Sequence, residues 1–175
     1  MRIFQMTGLS GAGKTTIASN VKSILIEKGY AVEVLDGDVF RRNLCPDLGF
    51  SKQDRNENIR RMGFVANLLA QNNIIVLISA INPYESVRQE LVERYQAKTV
   101  FVNCEIQTLL KRDTKGLYAR AFLPKNHIDK INNLTGVNDT YEVPIHPDLT
   151  IHTHQESIEA SVQRILKFII DSVEK

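Results

Sequence analysis

This chain of 175 residues has few of the residues on which disulfide-rich and zinc-bound folds depend. Its two cysteines, Cys45 and Cys104, lie far apart in the sequence and outside any CxxC pattern. Neither a disulfide framework nor a zinc site is therefore indicated, and we expect two buried or half-buried thiols. His152 and His154 have no acidic or thiolate partner nearby in the sequence, and we interpret them as an ordinary exposed pair; none of the four histidines is assigned a role.

An excess of charge of one sign is missing as well. Lysine and arginine number 22 against 20 aspartate and glutamate residues, which gives a formal net charge of +2. Such a balance gives no electrostatic reason to expect nucleic acid or a membrane surface as a partner. An anionic ligand would have to be bound locally.

Long apolar runs are the third absence. No segment approaches the roughly 18 apolar residues of a membrane span, and the first residues, MRIFQMTG, lack a signal-peptide core of roughly 7–15 apolar residues. We therefore expect a cytoplasmic protein. With 43% hydrophobic residues and no internal repeat, we expect a single domain over residues 1–175.

Short apolar or β-branched runs alternate with longer segments of helical period. The candidate strands are residues 2–6, 32–35, 74–79, 99–103 and 149–152. Two helix starts carry a capping-box pattern, Ser51 with Asp54 and Thr153 with Glu156. Strand–helix alternation predicts an α/β fold of three layers, in which a parallel five-stranded sheet has helices on both faces.

Residues 113–147 interrupt this alternation. They are polar, carry Pro124, Pro144 and Pro147, and show no sustained periodicity. Loops of this length inside a compact domain are usually lids or binding loops. We therefore predict a lid, with a disordered surface excursion as the alternative.

The stretch GLSGAGKTT follows the first candidate strand and opens a helix. Gly8, Gly13, Lys14 and Thr15 match the pattern G-x-x-x-x-G-K-[ST] of the phosphate-binding P-loop. Glycines let backbone N–H groups surround phosphate oxygens, the lysine neutralises the β- and γ-phosphates, and the threonine hydroxyl is expected to bind Mg²⁺. We expect Lys14 to be solvated when the site is empty. The predicted ATP-binding residues are Gly8, Leu9, Ser10, Gly11, Ala12, Gly13, Lys14, Thr15 and Thr16.

A second informative stretch, LDGDVFRRNL, follows the second candidate strand. Taken alone, Asp36-Gly-Asp38 would be interpreted as a turn. The carboxyl ends of parallel strands, however, are where ligands bind in such sheets, and the P-loop lies at the same edge. We therefore predict catalytic roles for Lys14, Asp36 and Asp38, with Asp36 orienting water on Mg²⁺ and Asp38 accepting a hydrogen bond from an acceptor hydroxyl.

Arginines follow this acidic pair closely. Arg41 and Arg42 come first, and Arg55 and Asn58 share one face of the next predicted helix, where they can point together at an anion. The neighbouring Arg60 and Arg61 are interpreted as solvated surface charge. A donor site with a separate arginine-rich pocket predicts a small-molecule kinase whose acceptor is itself anionic.

These motifs resemble adenylylsulfate kinase. The resemblance covers roughly residues 3–149 and includes GLSGAGKTT, LDGDVFRRNL, DLGFSKQDRNENIRRMGFVANLL, RDTKGLYARA and LTGVNDTYEVP. It implies a P-loop kinase that uses MgATP to phosphorylate the 3′-hydroxyl of adenosine 5′-phosphosulfate (APS) in sulfate activation. It also implies a homodimer and a mobile lid from Arg112 to Tyr141, with ATP contacted by Arg112. The acceptor residues that it implies are Asp38, Arg41, Phe50, Arg55, Asn58, Lys115 and Leu134, with Phe50 stacking on the base.

The chain departs from the family pattern at several points. Asn82 stands in NPY where the family typically has a serine, so direct transfer without a phosphoserine is favoured. Leu134 stands where many members have a phenylalanine, and leucine offers no π-face to a base. The lid sequence RAFLPKNHIDKINN is several residues longer than usual, and the N-terminal extension of many members is missing.

These departures leave two alternatives open. One is a relative with a changed acceptor, such as the kinase that phosphorylates cytidine diphosphoramidate in capsule biosynthesis. The other is a P-loop NTPase switch, which would need a water-positioning residue rather than a second nucleotide pocket.

Overall fold

The computed structural model describes residues 1–174, which form five parallel strands and seven helices. The strands are β1 (Ile3–Thr7), β2 (Val32–Asp36), β3 (Ile75–Ser79), β4 (Lys98–Asn103) and β5 (Leu149–His152), paired in the order β2-β3-β1-β4-β5. The helices are α1 (Lys14–Glu27), α2 (Gly37–Asn43), α3 (Lys52–Gln71), α4 (Glu85–Tyr95), α5 (Ile106–Arg112), α6 (Leu117–Ala121) and α7 (Ile158–Val173). The predicted parallel five-stranded α/β fold is confirmed.

The alternation of side chains along the strands builds a core on each face of the sheet. Phe4 and Met6 of β1 pack in the core beneath α1 and α7, whereas their neighbour Ile3 packs in the core beneath α3 and α4. In β3, Leu77 points to the first core and Ile78 to the second. Both faces of the sheet are therefore covered, giving the three predicted layers.

One of the two predicted capping boxes forms. Ser51 Oγ accepts a hydrogen bond from the backbone N–H of Asp54 at 3.1 Å, and the Asp54 carboxylate accepts one from the N–H of Ser51. The prediction for Thr153 and Glu156 is wrong, since α7 begins at Ile158 and is capped by Ser157. Both side chains have other partners: the Thr153 hydroxyl donates to the carbonyl of Ala12, and the Glu156 carboxylate accepts from the N–H of His152.

Residues 113–147 contain a single helix, α6. Tyr118 and Ala121 of this helix are buried, and so are Leu134 and Thr135 further along, whereas Ile128 is 95% exposed. The segment thus has two anchored ends around an exposed middle. Both cysteines are buried free thiols, as expected. Within residues 1–174 no helix has the length and apolar character needed to cross a bilayer.

Candidate active site

The P-loop leaves the carboxyl end of the central strand β1 and enters α1. Gly8 has no room for a side chain, because a Cβ there would lie 2.3 Å from the carbonyl oxygen of Val102. Gly13 caps α1 with φ +99°, a left-handed conformation that residues with side chains rarely adopt. The glycines of the motif are therefore required by close approach and by backbone conformation.

Lys14 turns back over this loop. Its ammonium donates to the carbonyl oxygens of Gly8 and Leu9, both at 2.8 Å, and the residue is 8% exposed. The expectation of a solvated lysine is wrong, because the loop carbonyls enclose the ammonium. Burial, reinforced by the positive charge of Lys115, lowers the pKa of Lys14 to about 7 against the opposing effect of the nearby carboxylates.

Three oxygen-bearing side chains meet where β2 and β3 end. The Thr15 hydroxyl donates to Asp36 Oδ2 at 2.9 Å and lies 3.2 Å from the hydroxyl of Ser79. Hydroxyl and carboxylate oxygens suit Mg²⁺, so these residues fit the metal that the P-loop implies. Ser79 was missed in the sequence, although it closes β3 beside the P-loop as Asp36 closes β2.

The Asp36-Gly-Asp38 stretch begins a helix and does not form a free turn. Asp36 is the N-cap of α2, and its Oδ1 accepts hydrogen bonds from the N–H groups of Asp38 at 2.9 Å and Val39 at 3.2 Å. One carboxylate of Asp36 therefore fixes the position of Asp38 with one oxygen and contacts Thr15 with the other. The two aspartates are held in a defined relation at the edge of the sheet.

Asp38 is joined to residues 113–147 by an ion pair. Lys115 Nζ donates to Asp38 Oδ2 at 2.6 Å. This hydrogen bond, with the positive charges of Lys115, Arg42 and Lys14, holds the pKa of Asp38 below its usual value. Asp38 is therefore ionised over a wide pH range and is able to accept a hydrogen bond from a hydroxyl group.

The predicted acceptor residues cluster around an exposed aromatic ring. The guanidinium groups of Arg41 and Arg55 lie 4.7 and 5.4 Å from the ring centroid of Phe50, which is 53% exposed. Arg55 also donates to the carbonyl of Asn133 at 2.7 Å and pairs with Asp139 at 3.0 Å. The structure thus brings Arg41, Phe50 and Arg55 together and connects them to the end of the predicted lid.

Two buried asparagines of the same site use only part of their hydrogen-bonding capacity. Asn58 and Asn82 are 3% and 1% exposed, and the Oδ1 atom of each has no hydrogen-bond partner within residues 1–174. Asn82 is held by its side-chain N–H group, which donates to Gln5. Because a buried carbonyl oxygen without a partner is costly, these atoms are suited to accept hydrogen bonds from a ligand.

Most of the predicted donor and acceptor residues open into one cavity, from whose lining Gly8, Leu9, Ala12 and Phe50 are absent. Its lining comprises Ser10, Gly11, Gly13, Lys14, Thr15, Thr16, Asp36, Gly37, Asp38, Arg41, Arg55, Asn58, Ile59, Ser79, Ala80, Ile81, Asn82, Pro83, Thr114 and Lys115. Leu134 is not in this lining, because its side chain is 6% exposed and packs in the core under α1. Arg112 is also outside it, and its guanidinium donates to the carbonyl of Thr153 at 2.7 Å. Their predicted roles stay predictions.

Several other charged and imidazole groups have structural partners. Arg60 forms a bidentate pair with Glu90, and Arg61 one with Asp47, which fits the expected surface charge. The expectation of an exposed histidine pair is wrong for His154, whose side chain is 8% exposed and lies 3.1 Å from Glu105. No group of three or more possible metal-ligating histidine, cysteine or acidic side chains occurs within residues 1–174.

Because the P-loop and the arginine-lined pocket share one cavity at the carboxyl edge of a parallel sheet, the fold and site are those of a P-loop kinase. Comparison with known proteins narrows this class. A sequence model of the adenylylsulphate kinase family matches residues 2–152, and the chain belongs to this family.

Named relatives agree with this assignment. The adenylyl-sulfate kinase of Halothermothrix orenii is 48% identical over 166 residues, 93% of this chain and 86% of that protein. The probable adenylyl-sulfate kinase of Synechocystis is 47% identical over 167 residues, 95% of this chain and 92% of that protein. Among solved structures, the Mycobacterium tuberculosis APS kinase CysC in complex with AMPPNP and APS superimposes with a TM-score of 0.86 at 38% identity, covering 99% of both chains.

Proposed function

We propose that the protein transfers the γ-phosphoryl group of ATP to the 3′-hydroxyl of APS, giving ADP and 3′-phosphoadenosine 5′-phosphosulfate. The observation that carries this proposal is the shared cavity, in which Asp38 lies between the P-loop lysine and the arginine-lined pocket. The relatives named adenylyl-sulfate kinase, and the solved relative with AMPPNP and APS bound, support the choice of acceptor.

On the donor side, the P-loop N–H groups and Lys14 bind the phosphates of ATP. Thr15 and Asp36, with Ser79 beside them, would hold Mg²⁺ directly or through water. The metal would neutralise charge on the β- and γ-phosphates. Since the transition state of phosphoryl transfer is loose, positioning and charge neutralisation account for most of the rate increase.

On the acceptor side, Arg41, Arg55 and Asn58 bind the 5′ anionic groups of APS. The ring of Phe50 is about half exposed, with the guanidinium groups of Arg41 and Arg55 close to it, and a base can stack on its open part. Asp38 accepts a hydrogen bond from the 3′-hydroxyl and takes its proton as the oxygen attacks the γ-phosphorus. Lys115 bonds to one oxygen of Asp38, Oδ2, which leaves Oδ1 for the hydroxyl, and its ammonium can pair with the phosphosulfate once it leaves Asp38.

The test is a product assay with purified protein and MgATP. APS, cytidine and other nucleotide 5′-anhydrides, and simple sugars are offered separately, and the phosphorylated product is identified in each. We expect 3′-phosphorylation of APS. Turnover confined to a cytidine nucleotide would indicate the changed-acceptor alternative, and an ATPase rate that no acceptor alters would indicate the NTPase alternative.

We further propose that the enzyme works in the cytoplasm as a homodimer. The family resemblance supports the dimer, and the lack of a long apolar run supports the location. Sedimentation equilibrium measures the oligomeric state, and a monomer at assay concentration would contradict the dimer. Cell fractionation tests the location.

A further inference from the structure

Two hydroxyl groups from outside the P-loop motif bond to P-loop carbonyls. Tyr118 of α6 donates to the carbonyl oxygen of Ser10 at 2.8 Å, and Thr153, directly after β5, donates to that of Ala12 at 2.9 Å. The two donors are 108 and 141 residues away from their acceptors along the chain. The P-loop is therefore hydrogen-bonded to two separate parts of the fold, α6 and the residue that follows β5.

These bonds fix the direction of the next amide groups. In a trans peptide unit the carbonyl of one residue and the N–H of the next point in opposite directions. With the Ser10 and Ala12 carbonyls directed at the two hydroxyls, the N–H groups of Gly11 and Gly13 point the other way. Neither N–H donates a hydrogen bond within residues 1–174, and both glycines line the cavity.

We propose that Tyr118 and Thr153 are positioning residues for the triphosphate, because their hydroxyls hold the Ser10–Gly11 and Ala12–Gly13 peptides with the N–H groups facing the phosphates. P-loops bind phosphate through such N–H groups. Without the two hydroxyls, each peptide unit is free to rotate and must be ordered again whenever ATP binds. The cost of that ordering appears as weaker ATP binding.

The surroundings of both hydroxyls suit this role. Tyr118 is 2% exposed, and its helix is anchored by Asp113, whose carboxylate accepts from the N–H groups of Tyr118 and Ala119 at 3.0 and 2.8 Å. Burial raises the pKa of Tyr118 to about 12, so the phenol remains a hydrogen-bond donor at any working pH.

Thr153 is fixed from both sides. Its N–H donates to the carbonyl of Asn103 at 3.0 Å, and its carbonyl accepts from Arg112 at 2.7 Å. Arg112, which the family resemblance predicts to contact ATP, thus donates to Thr153, whose hydroxyl bonds to Ala12. The proposal depends only on ATP binding at the P-loop and not on the identity of the acceptor.

The experiment measures the Kd of MgATP by calorimetry without any acceptor. Tyr118→Phe keeps the ring and removes the hydroxyl, and Thr153→Val does the same at nearly constant volume. A neutral hydrogen bond contributes about 0.5–1.5 kcal/mol, so each Kd should rise about two- to tenfold. Thr153→Ser, which retains the hydroxyl, should restore wild-type affinity.

Tyr30→Phe is the matched control, because its hydroxyl bonds to Glu174 at the other end of the chain. This variant should bind MgATP as the wild type does. The proposal is overturned if Tyr118→Phe and Thr153→Val lower the melting temperature but leave the Kd unchanged, or if Thr153→Ser binds as weakly as Thr153→Val. Failure to phosphorylate APS would contradict the proposed function and leave this result unaffected.

Discussion

Lys115 and Asp38 form an ion pair of 2.6 Å between residues 113–147 and the start of α2, and both residues line the cavity. In the proposed reaction, the same carboxylate accepts the proton of the acceptor hydroxyl. The lysine bonds to Oδ2 of the catalytic carboxylate and leaves Oδ1 for the hydroxyl. It also sets the acidity of that carboxylate.

The first prediction concerns the pH dependence of kcat/KM. Because Lys115 lowers the pKa of Asp38, Asp38 stays ionised to lower pH than an ordinary aspartate. In Lys115→Met the pKa rises, so the acidic limb of the kcat/KM profile should move to higher pH. The exposed Lys125, changed to Met, is the control and should leave the limb in place. An unshifted limb in Lys115→Met would show that Asp38 does not govern it.

The second prediction is that ATP binding takes up a proton. In the protein without nucleotide, Lys14 has a pKa of about 7 and is mostly neutral at about pH 8. Bound phosphates favour the charged ammonium. Uptake should approach one proton at about pH 8 and fall towards zero at about pH 6. Calorimetry in buffers of different ionisation enthalpy measures it. Lys14→Ala should lose phosphoryl transfer, and any remaining binding should show no uptake of this kind.

Much of the fold could be predicted because its signals are local. The strand limits were predicted to within a residue or so, since runs such as residues 75–78 are apolar throughout and end at a polar position, here Ser79. The predicted start of α7 was wrong because tertiary contacts compete for the side chains of the predicted capping box. Thr153 and Glu156 match a capping box in sequence, but their side chains form hydrogen bonds to the P-loop and to the end of β5.

The residues of the site likewise fall into those that the sequence predicts and those that it does not. Asp36, Asp38, Arg55 and Asn58 could be placed from motif and strand position, and all four line the cavity. The bond from Tyr118 to Ser10 could not, because it depends on how a segment 108 residues away folds against the P-loop. The enclosure of Lys14 is local, by the carbonyls of Gly8 and Leu9, but the motif alone does not give the direction in which its side chain turns. The burial of Leu134 in the core could not be predicted either, although the family resemblance matches this residue to a base-contacting position.

The third prediction narrows the moving part of the proposed lid. Residues 124–129 are exposed throughout, whereas the turn from Leu134 to Asp139 is closed by hydrogen bonds to the Leu134 carbonyl. Few buried contacts give low local stability. Amide exchange in residues 122–133 should therefore slow markedly when ADP and APS are both present, while the hydrogen-bonded amides of residues 136–139 should be protected in either state. Equal exchange of residues 122–133 with and without ligands would indicate a fixed loop, and α7 serves as the internal reference.

The last prediction separates the two aspartates. Asn is as good an N-cap as Asp, so Asp36→Asn should keep α2 and Asp38 in place while removing the charge beside Thr15. The Mg²⁺ concentration for half-maximal rate should therefore rise. Asp38→Asn keeps the shape but cannot take the proton of the hydroxyl, so kcat should fall about 10²- to 10⁴-fold with ATP affinity nearly unchanged. Steady-state rates over a Mg²⁺ series measure both effects. If Asp38→Asn altered the Mg²⁺ requirement while Asp36→Asn did not, the two roles would be reversed, and if neither variant changed the rate, the pair would serve only to begin α2.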